Sequence, residues 1–188
     1  MRKLFWINLK KFYNYGDRMV KFKCNVIVCG PGIGKTYLAM IDDRFIDIDG
    51  MRSDYKYNLY DLSYEDKEKG KGNRGEIINE DSDGYAIELL EQTIGDNKIA
   101  LLSYNDKIIE YIIKNGIKYC LVYADIDLAD EYAERMRMRG NNSKFVTDMT
   151  NKEIWEEFYN INVNDDKPTY KIKLQKGQYL YDIRNYFI

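Results

Sequence analysis

A short glycine-rich stretch near the start of the chain carries residue types that bind phosphate. An apolar run, residues 26–29, precedes it, and a segment with helical character, residues 37–41, follows it. Glycines lack a Cβ atom, so the main chain can curl and point successive N–H groups inward toward an anion. This order of elements is typical of a phosphate-binding loop: a strand, a glycine-rich turn, Lys-Thr and a helix. We therefore predict that nucleotide phosphates are bound by Gly30, Pro31, Gly32, Ile33, Gly34, Lys35 and Thr36.

Two side chains of this loop have chemical roles of their own. Lys35 would reach the outer phosphates as a point charge, and Thr36 would offer its hydroxyl to Mg²⁺. The usual pattern begins with glycine, but Cys29 stands at that position here. Because cysteine is small, we interpret this as a tolerated departure that affects the geometry of the first turn. A dinucleotide-binding turn is disfavoured, since Lys35 stands where a third glycine should be; a strand–helix turn without ligand remains the alternative.

A pair of carboxylates follows on the next predicted strand, residues 44–50. Alternation along a strand places Asp47 and Asp49 on one side. Asp47 could hold Mg²⁺ directly or through water, and Asp49 could orient or deprotonate an acceptor hydroxyl. Arg52 is a further candidate for binding the substrate together with Asp49. The alternative for the two aspartates is a helix cap or a solvated strand end.

Arginines on a later helix could stabilise the charge of a transferring phosphoryl group. Arg135 and Arg139 are four residues apart and therefore share a helix face. Arginine offers rigid donors to phosphate oxygens, so both are catalytic candidates. A Gly-Asn-Asn sequence, residues 140–142, ends the helix where a closing lid would hinge. The alternative is an exposed face paired with neighbouring acidic residues.

Other polar residues are expected at the same edge of the sheet. The ends of parallel strands would gather the loop, the two aspartates, Ser103 and Asp125 on one rim, where open α/β folds bind ligands. Asp125, after an apolar strand, is an alternative metal-binding carboxylate, and Asp106 is a weaker one.

The overall composition excludes several classes of function. The 188 residues include no histidine, which removes histidine-based acid–base catalysis, triads and metal sites. Phosphoryl transfer remains open because it depends mainly on positioning and charge neutralisation. The net charge of −2 disfavours a nucleic-acid-binding surface. The three cysteines fall in predicted buried strands, which indicates free thiols, and there is no apolar run long enough to cross a membrane.

Apolar periodicity predicts an α/β fold with a mainly parallel sheet. We expect residues 1–21 to be an N-terminal appendage, with Met19 as an alternative start, and residues 22–188 to form one domain. Residues 61–84 are charged and glycine-rich, which is typical of a mobile insert on the substrate side or of a plain surface insertion. Residues 127–142 would be the lid-type helix. Strands are predicted at 22–29, 44–50, 98–102, 117–123 and 170–174; helices are predicted at 35–42, 51–60, 84–94, 105–115 and 127–139, twice within 143–160, and from about 178.

The order of these motifs resembles the P-loop kinase family, namely nucleoside monophosphate kinases and their shikimate- and gluconate-kinase-like relatives. The loop, the Asp47-x-Asp49 pair and the Arg135/Arg139 helix carry the resemblance. Residues 22–188 also look like small phage-encoded nucleotide kinases, notably around 131–142 and 177–180. The resemblance implies a three-layer α/β/α fold with a five-stranded sheet and a small helical lid, ATP and Mg²⁺ as cofactors, and transfer of the γ-phosphoryl group.

The acceptor stays open at this point. A nucleoside monophosphate is the first hypothesis, and a hydroxyl on a small metabolite or a modified DNA base is the second. A third is an NTP-binding module that transfers nothing. We expect a small-molecule partner, no membrane or nucleic acid, and a cytoplasmic location, in the bacterial host if the chain is phage-encoded; a homodimer is one assembly to consider.

Overall fold

The centre of the fold is a parallel sheet that is covered by helices on both faces. The computed structural model describes residues 6–7, 21–51, 81–141 and 143–187. Within these residues the sheet has six strands, each paired in parallel with its neighbour, in the order β1-β6-β5-β2-β4-β3. The strands are β1 (Trp6–Ile7), β2 (Val26–Cys29), β3 (Phe45–Asp47), β4 (Ile99–Leu102), β5 (Tyr119–Ala124) and β6 (Tyr170–Leu174).

The helices connect these strands in chain order. They are α1 (Lys35–Ile41), α2 (Ile48–Met51), α3 (Ser82–Gly95), α4 (Asp106–Lys114), α5 (Ala129–Met138), α6 (Ser143–Thr150), α7 (Lys152–Asn164) and α8 (Leu180–Ile183). Single turns of 3₁₀ helix precede α5 at Ile126–Leu128 and follow α8 at Arg184–Tyr186. Among the described residues, none of the helices combines the length and the apolar character needed to cross a membrane.

The two faces of the sheet have separate hydrophobic cores. Ile27 and Cys29 of β2 point into the first core, which is covered by α1, α5, α6 and α8. Val26 and Val28 alternate with them and point into the second core, which is covered by α2, α3, α4 and α7. All four residues are buried, as expected of a parallel strand with helices on both sides. The arrangement is compatible with a three-layer α/β/α fold.

Local sequence explains where individual helices begin and end. The side chain of Asn105 accepts a hydrogen bond from the N–H of Ile108 at 3.1 Å and so caps the start of α4. Ile108 and Ile112 are buried on one face of this helix. Gly116, with φ of 66°, lies just beyond its end, where the left-handed region favours glycine.

The chain order reverses beside β2, and this positions the candidate site. From β2 the chain runs through β3 to β4 on one side, and from β4 it crosses to β5 and β6 on the other. In open α/β sheets such a reversal leaves a crevice at the carboxyl ends of the strands. The glycine-rich loop follows β2 directly and therefore lies at that crevice.

The predicted α/β class and the parallel five-stranded sheet are confirmed, with β1 as a two-residue addition at the edge. The prediction of one strand through residue 50 is wrong, because β3 ends at Asp47 and α2 begins at Ile48. Most of the predicted appendage (1–5 and 8–20), residues 61–80 of the predicted insert, and Arg52 lie outside the described residues. Residues 82–84 of that insert belong to α3.

Candidate functional site

Two glycines give the loop its shape. Gly32 has φ of 76° and Gly34 has φ of 98°, in the region that side chains other than glycine rarely adopt. A Cβ atom added to Gly30, in contrast, would meet no atom within 4 Å. Cys29 is the last residue of β2, and its side chain is 2% exposed in the first core. The departure from the usual motif therefore falls in the strand, before the curled part of the loop.

The curled loop leaves main-chain donors without protein acceptors. Residues 31–32 form a hydrogen-bonded turn. In the described part of the chain, the N–H groups of residues 34–36 donate to no protein oxygen, whereas the N–H of Leu38 already bonds to the carbonyl of Gly34 at 3.0 Å. The first N–H groups of a helix have no partner within the helix, and such groups are satisfied by side chains, water or a ligand. Successive donors in such a turn form a concave surface that suits an anion.

The ammonium of Lys35 lies at this loop. Its Nζ atom is 3.3 Å from Oδ2 of Asp49 and 3.1 Å from Oγ of Ser103. It also donates to the carbonyl oxygens of Cys29 and Gly30, at 3.4 and 3.2 Å. An ammonium has three protons, so these four oxygens share them, and a phosphate oxygen could replace some of the contacts without leaving Lys35 unpaired.

The lysine is charged in this setting. Burial alone lowers the pKa of Lys35, but the Cys29 sulfur and the carboxylates of Asp49 and Asp47 act in the opposite direction, and the net pKa is raised. Burial raises the pKa of the Cys29 thiol to about 12, so at neutral pH the thiol is protonated.

Thr36 and Asp47 form a pair of oxygen ligands beside the lysine. The hydroxyl of Thr36 donates to Oδ2 of Asp47 at 2.7 Å, and Asp47 is 5% exposed at the end of β3. Hydroxyl and carboxylate oxygens suit Mg²⁺, which takes few protein ligands and keeps waters or substrate phosphates for the rest. Among the described residues, no three acidic, cysteine or histidine side chains converge as a metal cluster. The Thr36 hydroxyl and the Asp47 carboxylate therefore fit a Mg²⁺ ion whose remaining ligands are phosphate oxygens and water.

The two aspartates reach the site from different elements. Asp47 belongs to β3, whereas Asp49 lies in the first turn of α2 rather than on a continued strand. The alternation that placed both on one strand side does not apply. Both nevertheless lie next to the loop, one bonded to Thr36 and the other paired with Lys35.

Arg135 is enclosed rather than presented to a ligand. Its side chain is 7% exposed, and its guanidinium lies 4.6 Å from the ring centroid of Tyr132 and 3.7 Å from that of Tyr179. Nη2 bonds to the Glu131 carboxylate and, at 3.0 Å, to the carbonyl oxygen of Gln178. The two arginines predicted to share a helix face therefore differ in exposure, because Arg135 is buried among protein groups.

The helix that carries the arginines belongs to a layer of the fold. Tyr132, Ala133 and Met136 of α5 are buried in the first core. The lid-type role of residues 127–142 stays a prediction; α5, which lies within them, packs against the sheet. Arg139 follows the helix, is exposed, and has no ion-pair partner in the described part of the chain.

The alternative carboxylates have structural partners. Asp125 accepts from the N–H of Ile126 at 2.8 Å and pairs with Lys173 at 2.9 Å. Burial raises the pKa of Asp125, but the bonds from Lys173 and Ile126 outweigh it and the net pKa is lowered. Asp106 lies in the first turn of α4. Neither is bonded to the loop, so Asp47 and Asp49 are the better candidates.

Three residues near the loop were given no role at the site by the sequence, although they lie in the segments 131–142 and 177–180 that carry the resemblance. Tyr132 and Tyr179 lie against the loop glycines, and Glu131 bonds to Arg135. The chain has 18 tyrosines, so no single one stands out, and Tyr179 is far from the loop in sequence. Only the fold brings these side chains together.

Two grooves of the described surface lie away from the loop. One of about 600 Å³ runs along α7 beside Glu153 and Asn160, and one of about 480 Å³ lies near Lys23 and Lys118, where β2 and β5 begin. Neither includes a loop residue. No protein-family model matches this sequence, and no curated protein matches it. Assignment of the site therefore depends on the geometry of the loop and its neighbours.

Proposed function

We propose that the protein is an ATP- and Mg²⁺-dependent phosphotransferase of the P-loop kinase type. The observation that carries the proposal is the position of the Lys35 ammonium at the glycine loop, where the N–H groups of residues 34–36 have no protein acceptor in the described chain. A triphosphate supplies the acceptors that these donors lack. The cytoplasm, of a bacterial host if the chain is phage-encoded, is the proposed compartment.

Each neighbouring residue has a proposed part. Lys35 neutralises charge on the outer phosphates, replacing part of its contact with Asp49. Thr36 and Asp47 hold Mg²⁺, which supplies further neutralisation of the phosphate oxygens when bound. Arg139, exposed after α5, is the arginine that we expect to approach the transferring group from solvent.

A nucleoside monophosphate is the proposed acceptor. Its phosphate would need cations on the acceptor side, and Arg52, outside the described residues, is the candidate that the sequence offers. In this reaction an acceptor phosphate oxygen forms a bond to the γ-phosphorus. The bond from that phosphorus to the bridging oxygen breaks, and ADP leaves.

Asp49 favours a second candidate, transfer to a hydroxyl on a small metabolite or a modified DNA base. Its carboxylate lies 3.3 Å from the Lys35 ammonium, so it would lie beside a γ-phosphate bound by that lysine. A carboxylate there repels an acceptor phosphate but can accept the proton of an attacking hydroxyl. The proton then moves to Asp49 as the new O–P bond forms and ADP leaves.

The test compares Lys35→Met with Lys152→Met, a lysine that is 86% exposed on α7. We expect Lys35→Met to lose about 100-fold or more in phosphoryl transfer while its circular dichroism is unchanged, because the charge acts on the transferring group. Lys152→Met should match the unmodified chain. Full activity of Lys35→Met would refute the proposal.

A panel of acceptors with radiolabelled ATP separates the candidates. Label transfer to nucleoside monophosphates supports the first, and transfer to hydroxyl compounds, lost in Asp49→Asn, supports the second. Tight ATP binding in calorimetry without transfer to any acceptor would instead indicate a nucleotide-binding module.

A further inference from the structure

Arg135 is part of a stack of side chains that covers the loop. Its guanidinium lies between the rings of Tyr132 and Tyr179. A Cβ atom at Gly32 would be 3.3 Å from Cδ1 of Tyr132, and one at Gly34 would be 3.4 Å from Cδ1 of Tyr179. The same two rings therefore hold the arginine between them and contact the two left-handed glycines.

Hydrogen bonds tie this stack to the turn after β6. Nη2 of Arg135 donates to the carbonyl oxygen of Gln178 at 3.0 Å. The Glu131 carboxylate, which accepts from Arg135, also accepts from the N–H of Gly177 at 3.0 Å. Next along the chain, the N–H of Leu180 donates to the carbonyl oxygen of Ile33 at 3.1 Å. One continuous set of bonds thus runs from α5 through residues 177–180 to the loop.

The guanidinium itself is out of reach of a ligand. Nε and Nη1 of Arg135 are buried and have no acceptor among the described residues, and the guanidinium lies over the rings of both Tyr132 and Tyr179. A phosphate could contact these nitrogen atoms only if the rings moved apart. A planar cation between two aromatic rings is instead suited to fixing their positions.

We propose that Arg135 is a positioning residue that holds the phosphate-binding loop in shape through Tyr132 and Tyr179, and that it does not contact the phosphates. This inference rests on the proposed nucleotide binding. It separates the two arginines of the α5 segment, leaving Arg139 to approach the phosphoryl group. Because the loop donors must be arranged before a triphosphate binds, loss of the stack weakens nucleotide binding more than it slows transfer.

The test uses Arg135→Lys, which keeps the positive charge but loses the planar group and its paired donors. We expect the KM and the calorimetric Kd for MgATP to rise about tenfold, with kcat at saturating ATP within about threefold of the unmodified chain. The matched control is Arg137→Lys on the same helix, where the side chain is 61% exposed and the kinetic constants should not change.

Trp155 gives a second, spectroscopic measurement. Its ring centroid lies 5.3 Å from that of Tyr132. In a Trp6→Phe background, which leaves it as the sole tryptophan of the two in the sequence, we expect MgATP to change its fluorescence. Arg135→Lys should lower the amplitude of this change even at saturating nucleotide.

The outcomes distinguish this inference from the proposed function. If the unmodified chain binds no nucleotide, both fail. If it binds, and Arg135→Lys has an unchanged KM or loses about 100-fold in kcat with KM unchanged, the positioning role alone is overturned. Should Arg135→Lys not fold, Tyr179→Leu, which removes a ring that is 40% exposed, must show the same rise in KM with kcat retained.

Discussion

At the scale of single residues, the glycines of the loop differ in what they do. Gly34 has φ of 98° and packs against Tyr179, so alanine there would be strained and would meet a ring. Gly30 has open space where a Cβ would lie. The motif treats them alike, but the structure predicts that only the later positions are essential to the shape of the loop.

The first prediction compares alanine at these two positions. Gly34→Ala should lower the free energy of unfolding by about 1–3 kcal/mol, because a left-handed conformation is costly for alanine. Gly30→Ala should stay within about 0.5 kcal/mol of the unmodified chain. Urea unfolding measures both. Equal losses would mean that the loop does not hold the conformation described.

The second prediction concerns the ion pair of Asp125 with Lys173. The folded-state pKa of Asp125 lies below its ordinary value of 3.8. The carboxylate therefore stabilises the folded state fully above pH 3.8, and this stabilisation is lost as pH falls through the folded-state pKa. Hydrogen bonding to Asp125 raises the pKa of Lys173 above its ordinary value of 10.5. The Lys173 ammonium therefore stabilises the folded state fully below pH 10.5, and this stabilisation is lost as pH rises through the raised pKa.

Asp125→Asn should therefore be less stable by about 1 kcal/mol at pH 7, since the pair is only partly exposed, and the difference should shrink as pH falls below about 4. Denaturation from pH 3 to pH 7 measures it. Asp148→Asn is the control, because that carboxylate pairs with Lys144 on an exposed surface and should matter less. A difference that grows toward acid pH would contradict the sign.

At the scale of elements, α5 is a packed helix whose two methionines differ in environment. Met136 is 1% exposed in the first core, whereas Met138 is 80% exposed. The third prediction is that Met136→Ala lowers the free energy of unfolding by about 2–5 kcal/mol through lost burial and a cavity. Met138→Ala should stay within about 0.5 kcal/mol. If urea unfolding gave the same small value for both, α5 would be a loosely attached lid after all.

Sequence patterns predicted elements with local signals. The isoleucines of α4, with Asn105 before it and Gly116 after it, locate that helix to within a residue or two. The end of β3 was not predictable in this way. Acidic and apolar residues alternate over residues 47–49, and so short a pattern fits either a strand or the start of a one-turn helix. Asp49 accordingly reached the site from a helix.

The surroundings of the loop depended on contacts between distant parts of the chain. The loop itself was recognisable from the spacing of its glycines and lysine. The burial of Arg135 was not, because arginine is usually exposed and its enclosing ring, Tyr179, is 44 residues away in sequence. The charge and spacing of Arg135 favoured a role in binding phosphate, whereas its packing in the fold favours a role in positioning the loop.

At the scale of the whole molecule, the strand order brings separate segments to one edge. The loop follows β2, Asp47 ends β3, and Ser103 follows β4, so three neighbouring strands supply the contacts around Lys35. β2 is central and is buried on both faces. A ligand at the loop thus binds next to the central strand of the sheet. We therefore expect its binding to stabilise the protein against global unfolding.

The fourth prediction follows from that linkage. A ligand that binds only the folded state at 100 times its Kd stabilises it by about 2.7 kcal/mol. For a chain of this size each kcal/mol raises Tm by about 2–4 °C, so saturating MgATP should raise it by about 5–11 °C. The increase should be largely absent in Lys35→Met and, with Mg²⁺ chelated, smaller in the unmodified chain. An equal rise in Lys35→Met would place the nucleotide somewhere other than the loop, since the Lys35 ammonium is bonded to the carbonyl oxygens of Cys29 and Gly30 there.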